Sequence, residues 1–452
     1  MSDFISDKIR EMMFGLEQPV RLSNGEMAPA INLDNAATTP PFKLVMREIE
    51  NQLRMYGSIG RGKGQKSEHS TNVYVRGRDI VKAFVGAGSE AYAVFYVNST
   101  TDGMNKLASA LIESPEDVIL TTRTEHHAND LPWRERAKTV YAETRADGRL
   151  WVETIERHLK DHDGRIKYVC VTAASNVTGY VNDVHAIAKT AHQYGAKIIV
   201  DGAQIVAHRK FSMLGDTPEE NIDFFVFSAH KMYSPFGGGA VVGLASDLDA
   251  HIPMFYGGGM VQTVCDKEVR YLKGPDLYEA GSPNYPGVVG MLKAIELLRH
   301  IGFDYILEHE QRLLRKTIDA LRQLPRVVLY GDNDNIADRV GIVAFNIRDM
   351  QPEQVADALA GNAAIAVRHA AFCAHPYVRR LTLVPEGCHG ETCVAPEGMV
   401  RVSFGIYNNE ADMDALLAAI RQILAGKNPA ALAVRPNMSL SAGTQNRPQD
   451  RG

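Results

Sequence analysis

Apolar and polar positions follow two different rhythms along this chain, and the change falls near residue 288. Upstream, short apolar runs alternate with stretches of helical spacing. "AVFYVNST" (93–100), "DVILTTRTEHH" (117–127) and "IKYVCVTAASN" (166–176) read as strands, as do the shorter runs "KIIVD" (197–201), "DFFVFSAHK" (223–231) and "GAVVGLA" (239–245). Between them, "DGMNKLASALIES", "LWVETIERHLKDH" and "VNDVHAIAKTAHQYG" carry helical periodicity, the last with Gly195 as its stop. Strands alternating with helices imply an α/β fold, a mainly parallel, doubly wound sheet covered on both faces. The run at 239–245 follows its neighbour too closely for a helical crossover, so it is expected to be antiparallel.

Downstream, "GVVGMLKAIELLRHIG" and "YILEHEQRLLRKTIDALRQL" are long amphipathic helices. Short strands follow at "RVVLYG", "VGIVAFNI", "AIAVRHA" and "MVRVSFGIY", and a closing helix at "NNEADMDALLAAIRQILAG" carries carboxylates in its first turn, where the helix dipole favours them. This pattern predicts a large domain over 31–290 and a smaller C-terminal α+β domain over 291–426. Residues 1–30 form an arm expected to pack on the smaller domain or across a dimer. Residues 427–452 are rich in Pro, Ser, Gly, Asn and Gln, and are expected to be disordered.

Composition narrows the function classes. The 452 residues carry a net charge of −5 and no dense Lys/Arg block, which argues against a nucleic-acid partner. No apolar run approaches the roughly 18 residues of a membrane span, and the charged N-terminus lacks a signal-peptide core. Five cysteines, an odd count, suit a reducing compartment, and the expected location is cytoplasmic.

The ends of the apolar runs carry the chemistry. In open α/β sheets, ligands bind outside the carboxyl ends of the strands. Here those ends are Asn98-Ser99-Thr100-Thr101, Thr124-Glu125-His126-His127, Ser175-Asn176, Asp201 with Gln204, and Ser228 with His230 and Lys231. Five polar endings in succession point to one shared site. Hydroxyls and amides at a helix N-terminus suit a phosphate, as at Thr100 and Thr101. A carboxylate such as Asp201 can keep a heterocyclic nitrogen protonated, a flat His126 can stack on a ring, and Lys231 can form a Schiff base with an aldehyde. Pyridoxal 5′-phosphate demands all four.

The stretches "INLDNAATTPP", "NSTTDGMN", "TEHHAND", "SNVTG", "VDGAQIVAH", "FVFSAHKMYSPFGGG", "EAGSPN", "AVRHAAFCAHP" and "RVSFGIYNNEADMD", in that order, resemble the class V pyridoxal-phosphate enzymes of fold type I. Within them they look like the group II branch of the cysteine desulfurase and selenocysteine lyase family. The resemblance implies that Lys231 is the Schiff-base lysine and moves protons at the substrate Cα. It implies that Asp201 pairs the pyridinium nitrogen, Gln204 donates to the phenolic oxygen, and His126 stacks on the ring. Thr100, Ser228 and His230 match phosphate-binding positions. Ser282 matches a position that reaches the phosphate of the neighbouring subunit, which implies a homodimer. Asn176 and Arg401 match the grip on the substrate carboxylate, with Arg368 nearby, and Cys373 falls on the sulfur-receiving nucleophile. The implied reaction turns cysteine (or selenocysteine) into alanine, with the sulfur passing to Cys373 as a persulfide and on to an acceptor, which a protein could provide.

This chain departs from the group II pattern at "HAAF", where Gly-His-His usually precedes the cysteine, and in a longer step from Cys373 to Arg401. The added segment 379–398, with Cys388 and Cys393, is expected to form a loop over the site mouth. Cys373, His375, Cys388, His389 and Cys393 include enough soft ligands for zinc, but their spacing matches no Cys-x-x-Cys ribbon, and no metal is expected. The same cofactor also supports plain β-elimination of a cysteine or cystine substrate, or epimerisation, because the fold does not fix the reaction. A silent scaffold is disfavoured by the intact Lys231, Asp201 and His126.

Overall fold

Strands that are apolar on both sides need cover on both faces, and in the computed structural model six of them lie with one half-buried edge strand in one sandwiched sheet. The structure describes residues 2–60, 62–88, 90–250, 254–383 and 398–426. The sheet comprises β1 (Tyr92–Val97), β2 (Val118–Thr122), β3 (Lys138–Ala142), β4 (Ile166–Thr172), β5 (Lys197–Asp201), β6 (Phe224–Ser228) and β7 (Gly239–Leu244). Their spatial order is β1-β7-β6-β5-β4-β2-β3. Strands β2 to β6 pair in parallel, and β7 runs antiparallel to both β6 and β1, as its short connection requires. Alternate side chains feed two layers. Phe225 and Phe227 join a core with helices Gln65–Phe84, Val184–Gln193 and Tyr285–Ile301, while Phe224 and Val226 join another with helix Thr100–Leu111 and Trp133.

One strand escapes the hydrophobic pattern. Lys138–Ala142 sits at the sheet edge, mostly half-buried, with the Arg123 guanidinium 4.0 Å from the centre of the Tyr141 ring. An edge strand with a cation-covered face needs no continuous apolar run, so the sequence gives it no signal.

A second, antiparallel sheet combines Val327–Leu329, Ile342–Ile347, Met399–Ser403 and Arg368–Ala370 in that order. It packs on helices Phe303–Arg322, Pro352–Ala363 and Glu410–Leu424 around a separate cluster. The run read as one strand at 364–370 divides in two. Ile365–Ala366 pairs in parallel with Ile31–Asn32, and Arg368–Ala370 pairs with Met399–Arg401. Asn409 caps the last helix by accepting the Asp412 amide at 3.1 Å, and Gly195 takes φ +76° at its expected stop. The N-terminal helix Ser2–Met12 touches both halves. Ile9 and the following Met13 are buried in the core of the large sheet, while Arg10 pairs with Asp412 at 3.0 Å. The tail 427–452, most of the segment 379–398 and both Cys388 and Cys393 lie outside the described residues. Among the described residues, no helix is long and apolar enough to cross a membrane.

Candidate active site

The parallel strands deliver their carboxyl ends to one edge, and the turn after β6 is built to present polar groups there. Ala229 N–H donates to Gly238 O at 2.7 Å, closing the return into β7. Gly239 lies so close to β6 that a Cβ would sit 2.3 Å from Phe227 O. That tight return projects Ser228, His230 and Lys231 from the end of a buried strand. Ser228 Oγ accepts the Thr100 N–H at 2.7 Å and lies 2.8 Å from Thr100 Oγ1. The positive end of helix Thr100–Leu111 therefore faces the same space.

Every expected site residue except Ser282 lines a single cavity of about 230 Å³: Thr100, Thr101, His126, Asn176, Asp201, Gln204, Ser228, His230, Lys231, Arg368, Cys373 and Arg401. Ser282 lines a separate cleft with Tyr74, Asn98 and Glu279.

Burial governs the titration of this set. It lowers the Lys231 pKa to about 8, against the pull of Asp201. It raises the Asp201 carboxyl, while the Ala203 N–H at 2.9 Å and Lys231 favour the charged form. It lowers His126 to about 3, aided by the Lys231 charge, and His230 to about 4. His126 Nδ1 accepts the Ala128 N–H at 3.0 Å, so this neutral ring carries its proton on Nε2. His230 Nδ1 lies 3.2 Å from Thr38 Oγ1. Gln204 Nε2 donates to Ala36 O at 2.9 Å, and Gln204 Oε1 is buried with no partner.

At the far wall, Arg401 is buried on strand Met399–Ser403. Its guanidinium donates to Asn176 O at 2.9 Å and to Asp34 Oδ1 at 2.7 Å, and stands 5.0 Å from the Phe372 ring centre; its Nε has no partner. Arg368, half-exposed, lies 3.9 Å from the other Asp34 oxygen. Asn176 Nδ2 donates to Phe372 O at 2.8 Å, tying the Cys373 loop to the end of β4. Cys373 is exposed, with φ +55° next to Phe372 at φ +52°.

Two residues of this site carry no sequence signal of their role. Asp34 meets Arg401 across 367 positions of chain, in a stretch notable only for its resemblance. Glu125, buried behind His126, accepts from Thr122 Oγ1 at 2.6 Å and Asn129 Nδ2 at 2.7 Å, and burial pushes its pKa up to about 8. Replacing Asp34 with alanine should destabilise the protein by about 3 kcal/mol in urea unfolding, the low end for a broken buried pair, because Asp34 keeps some contact with solvent.

The donor set fits a flat, phosphate-bearing aldehyde. A helix N-terminus with two hydroxyls suits an anion, a buried carboxylate and a neutral imidazole suit a heterocyclic ring, and Gln204 Oε1 is an orphaned polar atom of a residue in the same wall. The amine at Lys231 can bond an aldehyde as a Schiff base.

Residues 31–416 match the sequence model of the family described as aminotransferase class-V. A probable cysteine desulfurase of Halalkalibacterium halodurans is 32% identical over 92% of this chain and 97% of its own length. A cysteine desulfurase of Klebsiella pneumoniae is 34% identical over 91% of this chain and 99% of its own. Among solved structures, the apo cysteine desulfurase of Thermococcus onnurineus superposes with a TM-score of 0.79 at 28% identity, covering 88% of this chain and 95% of its own.

Proposed function

The chain belongs to the class-V aminotransferase family, and from that membership we propose that it is a pyridoxal 5′-phosphate-dependent cysteine desulfurase, converting cysteine to alanine and taking the sulfur onto Cys373. The observation that carries this reading is the convergence of Lys231, Asp201, His126, Arg401 and Cys373 on one cavity. When bound, the cofactor supplies an electrophilic aldehyde and an electron-withdrawing ring.

The residues divide the remaining work. Thr100, Thr101, Ser228 and His230 would hold the phosphate at the helix N-terminus, Asp201 would keep a proton on the ring nitrogen, Gln204 would meet the phenolic oxygen, and neutral His126 would stack on the ring face. Lys231 would hold the aldehyde, and its amine is the group that would move the substrate Cα proton. Burial favours this role, because a lysine near pKa 8 holds far more neutral amine than an exposed one. Arg401, whose Nε has no partner, would grip the substrate carboxylate, with Asn176 and Arg368 beside it. The Cys373 thiolate attacks the substrate sulfur; the carbon–sulfur bond breaks, the substrate carbon is protonated, and alanine leaves a persulfide on Cys373. Selenocysteine presents the same carboxylate and amine to these groups. Ser282, which lines a separate cleft of its own chain, would serve the phosphate of a neighbouring copy in a homodimer. A cytoplasmic setting keeps Cys373 reduced, and an acceptor protein would take its sulfur.

The test is incubation of wild type and Cys373→Ala with cysteine, followed by assay of alanine, pyruvate and protein-bound sulfur. The expected result is alanine with a protein persulfide in the wild type, and loss of both, by about a hundredfold or more, in the variant. Pyruvate formation that survives the substitution would assign plain β-elimination instead.

A further inference from the structure

The loop that carries Cys373 is held from outside the cavity by two histidines. His127 N–H donates to Cys373 O at 2.7 Å. Two residues past the cysteine, the His375 ring stacks on His127, with centroids 4.8 Å apart and planes 8° from parallel. His375 N–H points to His127 Nε2 at 3.4 Å, and His375 Nδ1 lies 3.1 Å from the same nitrogen. A backbone amide is always a donor, so His127 Nε2 is the acceptor and His375 Nδ1 carries the shared proton.

The held segment is one that needs holding. Phe372 and Cys373 are consecutive non-glycine residues in the left-handed region, at φ +52° and +55°, a conformation that persists only where the surroundings enforce it. Cys373 also stands on a boundary. It lines the inner cavity and an outer cleft of about 530 Å³, whose walls include His127, Leu131 and Arg136.

We infer that the His127–His375 pair is a proton-sensitive clamp that positions Cys373 between the inner cavity and the outer cleft. The inference rests on the reading of Cys373 as the sulfur-receiving residue. Closed, the clamp keeps the thiol beside the substrate sulfur; open, it lets the loaded cysteine turn to the cleft. A proton on His127 Nε2 converts the acceptor into a donor facing the His375 N–H, and the His375 ring can meet it only by giving up its proton at Nδ1, so the clamp loosens.

The groups around the pair set the direction. Burial and the His375 ring lower the His127 pKa, Arg134 adds to this, and Asp130 opposes it. Asp130 is itself engaged by Arg134 Nε at 2.7 Å and the Tyr141 hydroxyl at 2.9 Å. Glu135 and Arg136 face the cleft with opposite charges, His126 and the Cys373 thiol border it on the inner side, and Arg379 follows one turn along helix His375–Leu381. With the His127 pKa lowered, the clamp is closed through neutral pH and is lost as pH falls through a value below the ordinary histidine range.

The test compares cofactor-loaded, full-length wild type, His375→Ala and His375→Asn. Backbone amide exchange of the segments around 126–131 and 370–378 is followed by mass spectrometry at about pH 7.5 and about pH 4.5, corrected for intrinsic rates. An asparagine amide can either donate to or accept from His127, so it preserves the contact at both pH values. Exchange should rise about fivefold on acidification in the wild type, be fast at both pH values in His375→Ala, and be slow at both in His375→Asn, the scale of one lost hydrogen bond. The rate of alanine formation should fall about fivefold in His375→Ala with KM unchanged, and return in His375→Asn. Equal exchange in all three proteins, or an asparagine variant that behaves like the alanine one, overturns the clamp. Exchange needs no turnover, so an enzyme that forms no alanine would refute the desulfurase reading and leave the clamp to be judged by exchange alone.

Discussion

Lys231→Ala should purify without the visible absorption of lysine-bound pyridoxal phosphate, and its turnover of cysteine should fall by at least about a thousandfold. The size of the effect follows from where the amine sits. The tight return from β6 to β7 leaves Lys231 at the end of a buried strand, in a cavity shared with Asp201. Burial lowers its pKa to about 8 from the ordinary value of 10.5. At pH 7.5 that raises the neutral, nucleophilic fraction from about one in a thousand to about one in four. The sign gives a second measurement. The neutral form dominates above the lowered pKa, so the rate at which the cofactor-free protein regains its visible band should climb with pH and level off near 8. A Lys231→Arg variant keeps the charge and cannot attach the aldehyde, so it should fail in the same way. An unchanged visible band in Lys231→Ala would refute the assignment.

Arg401→Lys should lower kcat/KM for cysteine by about a hundredfold or more while leaving the visible band in place. The guanidinium is buried in the cavity wall and already oriented by Asp34 Oδ1 and Asn176 O, and its Nε is left without a partner. A lysine keeps one positive charge but loses the planar fork that can hold Asp34 and a carboxylate together. The loss should fall mainly on KM, because the carboxylate is gripped before and during the reaction alike. Titration of cofactor-loaded enzyme with alanine, which shares the carboxylate and lacks the sulfur, isolates that grip. Unchanged alanine binding in Arg401→Lys would move the carboxylate site elsewhere.

The strand ends were legible because strand, turn and helix are local events. Apolar runs at 93–97, 118–122, 166–172, 197–201 and 224–228 stop at polar residues, and a parallel sheet brings such stops to one edge. The antiparallel β7 was equally plain, since a return of about ten residues leaves no room for a crossover helix. The edge strand Lys138–Ala142 was not, because a half-exposed strand under an arginine has no hydrophobic rhythm to detect. Asp34 was invisible for a different reason. Its partner Arg401 is brought close only when Ile31–Asn32 pairs with Ile365–Ala366 and the small sheet docks beside the large one.

The sequence by itself determined the alternation of elements, the order of the polar strand ends and, through its resemblance to a known family, the chemistry expected of Lys231, Asp201 and His126. Each depends on residues close together in the chain, where backbone geometry leaves few choices. Only the tertiary structure decided that Ser282 stands apart from the cavity of its own chain, that Asp34 orients Arg401, and that His127 and His375 grip the Cys373 loop. The two contacts join positions 367 and 248 residues apart, and no local pattern encodes which side chains packing will place within hydrogen-bonding distance.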